Sequence, residues 1–230
     1  EDALRKIAIH YIPHKDEVEN QLQALSKKAP FTFLIPKQIL DYEGRVIAVI
    51  GPLSDDLPGN IVYQISQNMT ISAVFIRNVM NALVRKFNLS DKELLEYLYK
   101  SPLFTEEKKV ILQAGIQAYF DGNALIAIHL LIPQVEAAVR SIVEKSGGSV
   151  LKQARSGGGY QFRTFDELLR DPIITEVIGE DAALYFRILF TDQRGWNLRN
   201  DICHGISHIE TFSPFSADRI IHALLCLALV

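Results

Sequence analysis

The chain has 230 residues, 48% of them hydrophobic and 22% charged, which suits one substantial core under an ordinary soluble exterior. A net charge of −3 excludes the global basic field that draws a dedicated nucleic-acid-binding module to its target. Two cysteines, Cys203 and Cys226, exclude a disulfide framework or a zinc cluster and fit a reducing, cytoplasmic setting.

The chain opens at Glu1 with no signal-peptide pattern and no initiator methionine, and it stops inside the apolar run Ile220–Val230, so it reads as a piece of a longer polypeptide. The runs Ala124–Ile132 and Ile220–Val230 are too short to span a bilayer, and no membrane is expected as a partner of this segment. Val18, Leu22 and Leu25 have helical spacing within Asp16–Lys28. Phe31–Ile35 and Arg45–Ile50 read as short strands with Asp41–Gly44 as the turn between them, and Gly51-Pro52 and Pro58-Gly59 punctuate the exit. Residues 1–56 are therefore expected as a small α+β portion.

Beyond it, strand signals nearly vanish. Asn60–Phe87 predicts a long helix with a break near Met69-Thr70, Ser90 and Glu93 form a capping box for the next, and Thr105 caps a third running to about Asp121. These make a helical layer over residues 57–122. Asn123–Lys145 is apolar on most sides and is expected at the centre, kinked at Pro133 and ended by Ser146-Gly147-Gly148. Val150–Phe165, with Gly157-Gly158-Gly159, reads as a flexible hairpin or loop and lacks the ending of a phosphate loop. Thr164 and Glu167 open a short helix, Glu180–Thr191 is helical, and Gly195 breaks it. A helix from Leu198 to about Ser207 follows, and Ser216 caps the final apolar helix. The fold class expected is mainly α, with residues 123–230 as a helical bundle.

The run Arg199-Asn200-Asp201-Ile202-Cys203-His204-Gly205 is the most informative stretch. It places a permanent cation, an amide and an imidazole within about one and a half turns. Arginine stabilises charge that builds on a phosphate, and histidine as a residue type moves protons near neutral pH. Asn200 and His204 share a helix face, whereas Arg199 and His204 stand roughly 140° apart and converge only through arginine's length.

Arg199-Asn200-x-x-x-His204-Gly205 resembles the Arg-x4-6-His signature of the HEPN superfamily. It is most similar to a HEPN-related family of uncharacterised domains marked by Arg-Asn-x-x-x-His-Gly, which includes the ER-membrane-associated RNA degradation protein. Ser101-Pro102-Leu103-Phe104, Gly115, Ala118-Tyr119-Phe120 and the stretch Ala127 to Glu136 with Arg140 match the same family loosely. The resemblance implies a HEPN-like bundle built from Asn123–Lys145, Glu180–Thr191, Leu198–Ser207 and Ala217–Val230. It implies metal-independent endoribonuclease activity on an RNA substrate, with no cofactor. The 2′-hydroxyl would attack the adjacent phosphate and leave a 2′,3′-cyclic phosphate. Arg199, Asn200 and His204 would be catalytic, in a homodimer formed through the motif helix. The alternative is a non-catalytic HEPN-like dimerisation or nucleotide-sensing module of a larger protein.

Supporting roles fall to Glu136, Arg140 and Asp201. Glu136 and Arg140 form a favourable i, i+4 pair, and Glu136 is also placed to orient Arg199 or His204. His204 and His208 have a metal-compatible spacing, but no third ligand is evident and no metal is expected. His129 is expected as a core histidine bonded to a backbone carbonyl. Lys152, Arg155, Arg163, Arg170 and Arg194 are either a path for an RNA backbone or ordinary solvated charge.

Overall fold

The computed structural model describes residues 1–154 and 157–230. The described residues are 66% helical, with twelve α-helices and two small two-stranded sheets among them, so the fold is mainly α. The first 56 residues hold α1 (Asp2–His10), α2 (Lys15–Lys28), α3 (Pro30–Leu34) and an antiparallel hairpin, β1 (Lys37–Leu40) and β2 (Val46–Ile50). The expected strand over Phe31–Ile35 is instead helix α3. Pro30 sits in its first turn, where a fixed φ and a missing N–H favour a helix start. The tight Asp41–Arg45 turn also decides the pairing. Asp41 Oδ1 accepts the N–H groups of Glu43 and Arg45, both at 2.9 Å, so the four residues immediately before the turn become the strand.

α4 (Leu57–Phe87) runs unbroken through Met69-Thr70. The Thr70 and Ser72 hydroxyls bond back to the carbonyls of Ser66 and Asn68, at 3.1 and 2.7 Å, so the polar pair is absorbed inside the helix. Pro58-Gly59 belongs to its first turn, capped by Asp56, rather than to a loop. α5 (Asp91–Leu98) opens with the expected Ser90–Glu93 capping box. Thr105 precedes a short 3-10 turn and makes no side-chain cap, and α6 (Lys109–Phe120) follows. α7 (Ala124–Lys145) continues as helix through Pro133. By length and composition α7 could cross a membrane, yet its Ala127, Ile128, Leu131, Val135, Val139 and Val143 lie in the core. His129 is not a core residue. It sits on the solvent side of α7, where its Nδ1 meets the Leu125 carbonyl at 2.7 Å and its ring stacks on Phe212.

After α7 come β3 (Leu151–Gln153) and β4 (Tyr160–Phe162), paired as the expected hairpin. Then follow α8 (Phe165–Leu169, with the Thr164–Glu167 capping box), α9 (Pro172–Ile178), α10 (Glu180–Phe190), α11 (Leu198–Cys203) and α12 (Pro214–Leu227). The cap of α12 is Ser213, whose hydroxyl accepts the Ser216 N–H at 3.2 Å, because Pro214 occupies the first turn. α12 packs against α7, α4 and α1, and α6 lies along α7. Most of the buried apolar side chains, from Leu4 to Leu227, form one continuous cluster.

A polar seam runs through this cluster along α12. Asp218 accepts the Tyr119 hydroxyl at 2.6 Å and an Arg77 N–H at 3.1 Å. Arg219 donates to the Met69 carbonyl and the Ser72 hydroxyl and faces the rings of Tyr185 and Trp196. His222 meets the Tyr185 hydroxyl at 2.9 Å and the Ile7 carbonyl at 3.2 Å. Burial, and after it the charge of Arg219, pushes the His222 pKa down to about 3, so the ring is neutral. An apolar final helix was the expectation. Asp218, Arg219 and His222 are sealed inside instead, each satisfied in part by α1, α4, α6 or α10.

Candidate functional site

The loop from α10 to α11 is built to deliver one short helix. Asp192 closes the first turn by accepting the Arg194 N–H and holding its guanidinium at 2.7 and 2.9 Å. A Cβ on Gly195 would lie 2.4 Å from the Ile188 carbonyl oxygen, so only glycine passes here. That close approach lets the Trp196 N–H donate to the same carbonyl at 2.8 Å. Asn197 then turns the chain with φ +49°, a left-handed conformation that asparagine tolerates better than most residues. Its buried side chain donates to Asp201 Oδ1 at 2.6 Å and accepts from Asn200 Nδ2 at 2.9 Å. Asn200 also donates to the Thr191 carbonyl at 3.2 Å. Sequence reasoning assigns Asn197 no role, although it opens the run that carries the motif. Its signal was its place immediately before a helix, at a position where asparagine is favoured.

Arg199 points to α7. Its Nε donates to Glu136 Oε2 at 3.0 Å, while Glu136 Oε1 accepts from Arg140 at 2.9 Å. Glu136 thus makes the intrahelical pair and the reach to Arg199 at once. A weaker contact at 3.4 Å joins Arg199 to the Asn200 side-chain oxygen. The Arg140 guanidinium carbon lies 5.1 Å from the Phe162 ring, which brings β4 and the glycine-rich hairpin beside the cluster. One Arg140 nitrogen is buried without a partner among the described residues.

His204 is the C-terminal cap of α11, and its exposed ring makes no hydrogen bond among the described residues. The helix stops there rather than at Ser207. Gly205 takes φ +68°, its N–H returns to Ile202 O at 3.1 Å, and the Ile206 N–H returns to Asp201 O at 2.9 Å. This paired closure needs a left-handed residue after the cap, which gives the glycine of the motif a structural task. Burial raises the Asp201 pKa, against the pull of the Asn197 amide and of nearby His204.

Because α11 ends at His204, His208 does not sit one turn further along the same helix. It stacks on Tyr42 at 3.7 Å, and the Tyr42 hydroxyl donates to Glu210 at 2.7 Å. The β1–β2 hairpin therefore borders the motif, and a groove of about 600 Å³ runs between them, with Asp41, Asn197, Asp201 and His208 on its walls. Among the described residues no three His, Cys, Asp or Glu side chains are grouped to hold a metal ion.

The scattered basic residues are locally paired: Lys152 with Glu167, Arg163 with Asp171, Arg170 with Asp166 and Arg194 with Asp192. Arg155 lies outside the described residues. Cys203 is exposed and Cys226 is buried, where burial pushes its thiol pKa up. No protein-family model matches the chain, and neither does any curated protein or solved structure.

Proposed function

We propose that the chain is a metal-independent endoribonuclease of the cytoplasm whose catalytic groups are Arg199, Asn200 and His204. The observation that carries this reading is a guanidinium fixed near the start of one short, pinned helix and an exposed imidazole at its end. Glu136 orients Arg199, while the His204 ring is exposed and engages nothing among the described residues. A phosphate seated over the turn would meet the outer nitrogens of Arg199, which stabilise the pentacovalent phosphorane. The 2′-hydroxyl loses its proton as its oxygen attacks the adjacent phosphorus. The P–O5′ bond breaks, and the leaving oxygen takes up a proton. His204 serves one of these two transfers. A second copy, related by a two-fold axis through the motif helix, supplies the other. Asn200, tied to the Thr191 carbonyl, holds the register between Arg199 and His204. In this reading α7, α10, α11 and α12 are the HEPN-like bundle, in keeping with the resemblance of Arg199-Asn200-x-x-x-His204-Gly205.

One observation favours the alternative, a non-catalytic dimerisation or nucleotide-sensing module. Glu136 already holds Arg199 in an ion pair, as it would if the arginine only braced the helix. Incubation of the chain with RNA in EDTA separates the two. The nuclease yields products ending in a 2′,3′-cyclic phosphate, detectable by mass, and leaves RNA with methylated 2′-hydroxyls intact. Cutting of the methylated strand, or a strict need for a divalent ion, refutes the mechanism. Binding of nucleotide with no cleavage supports the module.

A further inference from the structure

Arg187 stands out among the arginines of this chain. It is partly buried on α10, and its guanidinium makes no hydrogen bond and no ion pair with any described residue. Its Nε is sealed from solvent without a partner among the described residues. Arg170 and Arg194 flank it, each already committed to its own aspartate. Burial first, and then the charge of Arg170, lowers the Arg187 pKa. Asp192 and Asp166 lie near enough to favour its charge, yet each is bonded to another arginine and neither to Arg187, so a cation held half out of water is left without a partner among the described residues, which destabilises the fold that carries it. Such an arrangement is expected where an anion arrives from outside.

The surroundings say what kind of anion. Arg170, Arg187, Arg194 and Lys15 share the lining of a cleft of about 580 Å³ between α4, α8 and α10. The rest of the wall is mainly aliphatic: Leu57, Pro58, Val62 and Leu184 contribute to it, and no aromatic side chain does. The volume is that of a small-molecule site. The cleft offers no aromatic ring for a nucleobase to stack on. Glu19 and Glu180 also line the cleft, and they would repel a ligand charged at both ends.

We propose that this cleft binds a small amphiphilic anion, a phosphate or carboxylate headgroup on an aliphatic body, with the Arg187 fork holding the headgroup and the aliphatic wall covering the body. The planar guanidinium suits both headgroups because each presents two oxygens in one plane. The proposal is independent of the reaction assigned to Arg199 and His204.

Calorimetric titration of the whole chain with n-octyl phosphate, below its micelle concentration, tests this. Saturable one-to-one binding is expected, at least about tenfold tighter than for inorganic phosphate, because a single well-buried aliphatic chain exceeds 1.4 kcal/mol. Arg187→Met should weaken octyl phosphate binding by at least about tenfold and leave the melting temperature unchanged or higher. Leu184→Glu, a second variant at a partly exposed wall position, should also abolish binding by placing a carboxylate on the aliphatic side. Equal affinity for octyl and inorganic phosphate would overturn the proposal, as would full affinity in Arg187→Met. So would a drop in melting temperature for Arg187→Met, which would make the arginine a structural group. Binding to phosphatidic acid vesicles with no binding of octyl phosphate would point to a membrane surface and would equally overturn it.

Discussion

Glu136 divides its two oxygens between Arg199 on α11 and Arg140 on its own helix, at 3.0 and 2.9 Å, and all three side chains are largely withdrawn from solvent. Glu136→Gln keeps the shape but leaves two guanidiniums facing a neutral amide. The variant should lose about 1.5–3 kcal/mol in a denaturant titration, the usual range for hydrogen bonds to charged groups. If Arg199 is catalytic, cleavage should fall by roughly 10–100-fold as its orientation loosens. His204 behaves in the opposite way, because its ring bonds to nothing among the described residues. His204→Ala should leave the melting curve in place while removing cleavage by at least about a hundredfold. Loss of stability in step with activity would make the histidine a structural cap.

α11 is six residues long, too short to persist by itself, and its geometry is imposed from both ends. At the start, Gly195 lets the backbone lie against the Ile188 carbonyl, and Asn197 locks the first turn through Asn200 and Asp201. At the end, Gly205 closes the helix in a left-handed conformation with open space around the position a Cβ would take. The two glycines should therefore respond differently to alanine. Gly205→Ala faces only backbone strain and should cost about 1 kcal/mol. In Gly195→Ala the new methyl would meet a backbone oxygen, so the loop must move. The cost should be clearly larger, with cleavage lost along with it. Chemical denaturation of both variants, read beside wild type, checks the order. Equal costs would mean that the loop yields easily and does not hold the motif.

At the scale of the whole molecule, the seam of Asp218, Arg219 and His222 ties α12 to α1, α4, α6 and α10 inside the core. His222 has a folded pKa near 3, against 6.5 for the free side chain. Its contribution follows by sign. Above about pH 6.5 both states are neutral there and nothing is lost. As the pH falls from 6.5 towards 3 the unfolded chain takes up a proton that the folded one refuses, so stability declines. The slope is about 1.4 kcal/mol per pH unit in that window. His222→Gln should flatten this slope relative to wild type in urea melts between pH 6 and 4, and an unchanged slope would mean that the ring is protonated in place. Assembly belongs to the same scale. A site shared by two copies predicts that specific activity falls on dilution below the dimer dissociation constant, together with a halving of mass by light scattering. Activity that stays constant per chain as the mass halves would place the whole reaction within one copy.

Local chemistry makes much of this fold legible in the sequence. Helical periodicity, the capping boxes at Ser90–Glu93 and Thr164–Glu167, and the hairpin across Gly157–Gly159 are all decided by residues within a few positions of each other. For the same reason the run from Arg199 to Gly205 stands out by its residue types and spacing alone. Register and company were not legible. Phe31–Ile35 has strand composition but forms a helix, because a five-residue turn further along selected different partners. The final helix reads as apolar, yet its buried Asp218, Arg219 and His222 are tolerable only because groups from distant helices arrive to satisfy them. The Glu136–Arg199 bond joins residues 63 positions apart, and the unpaired state of Arg187 among the described residues is visible only once their carboxylates have been placed. Short-range torsional preferences and hydrogen bonds are written into neighbouring residues. Whether a charge is paired, buried or left waiting depends on the packing of the whole chain.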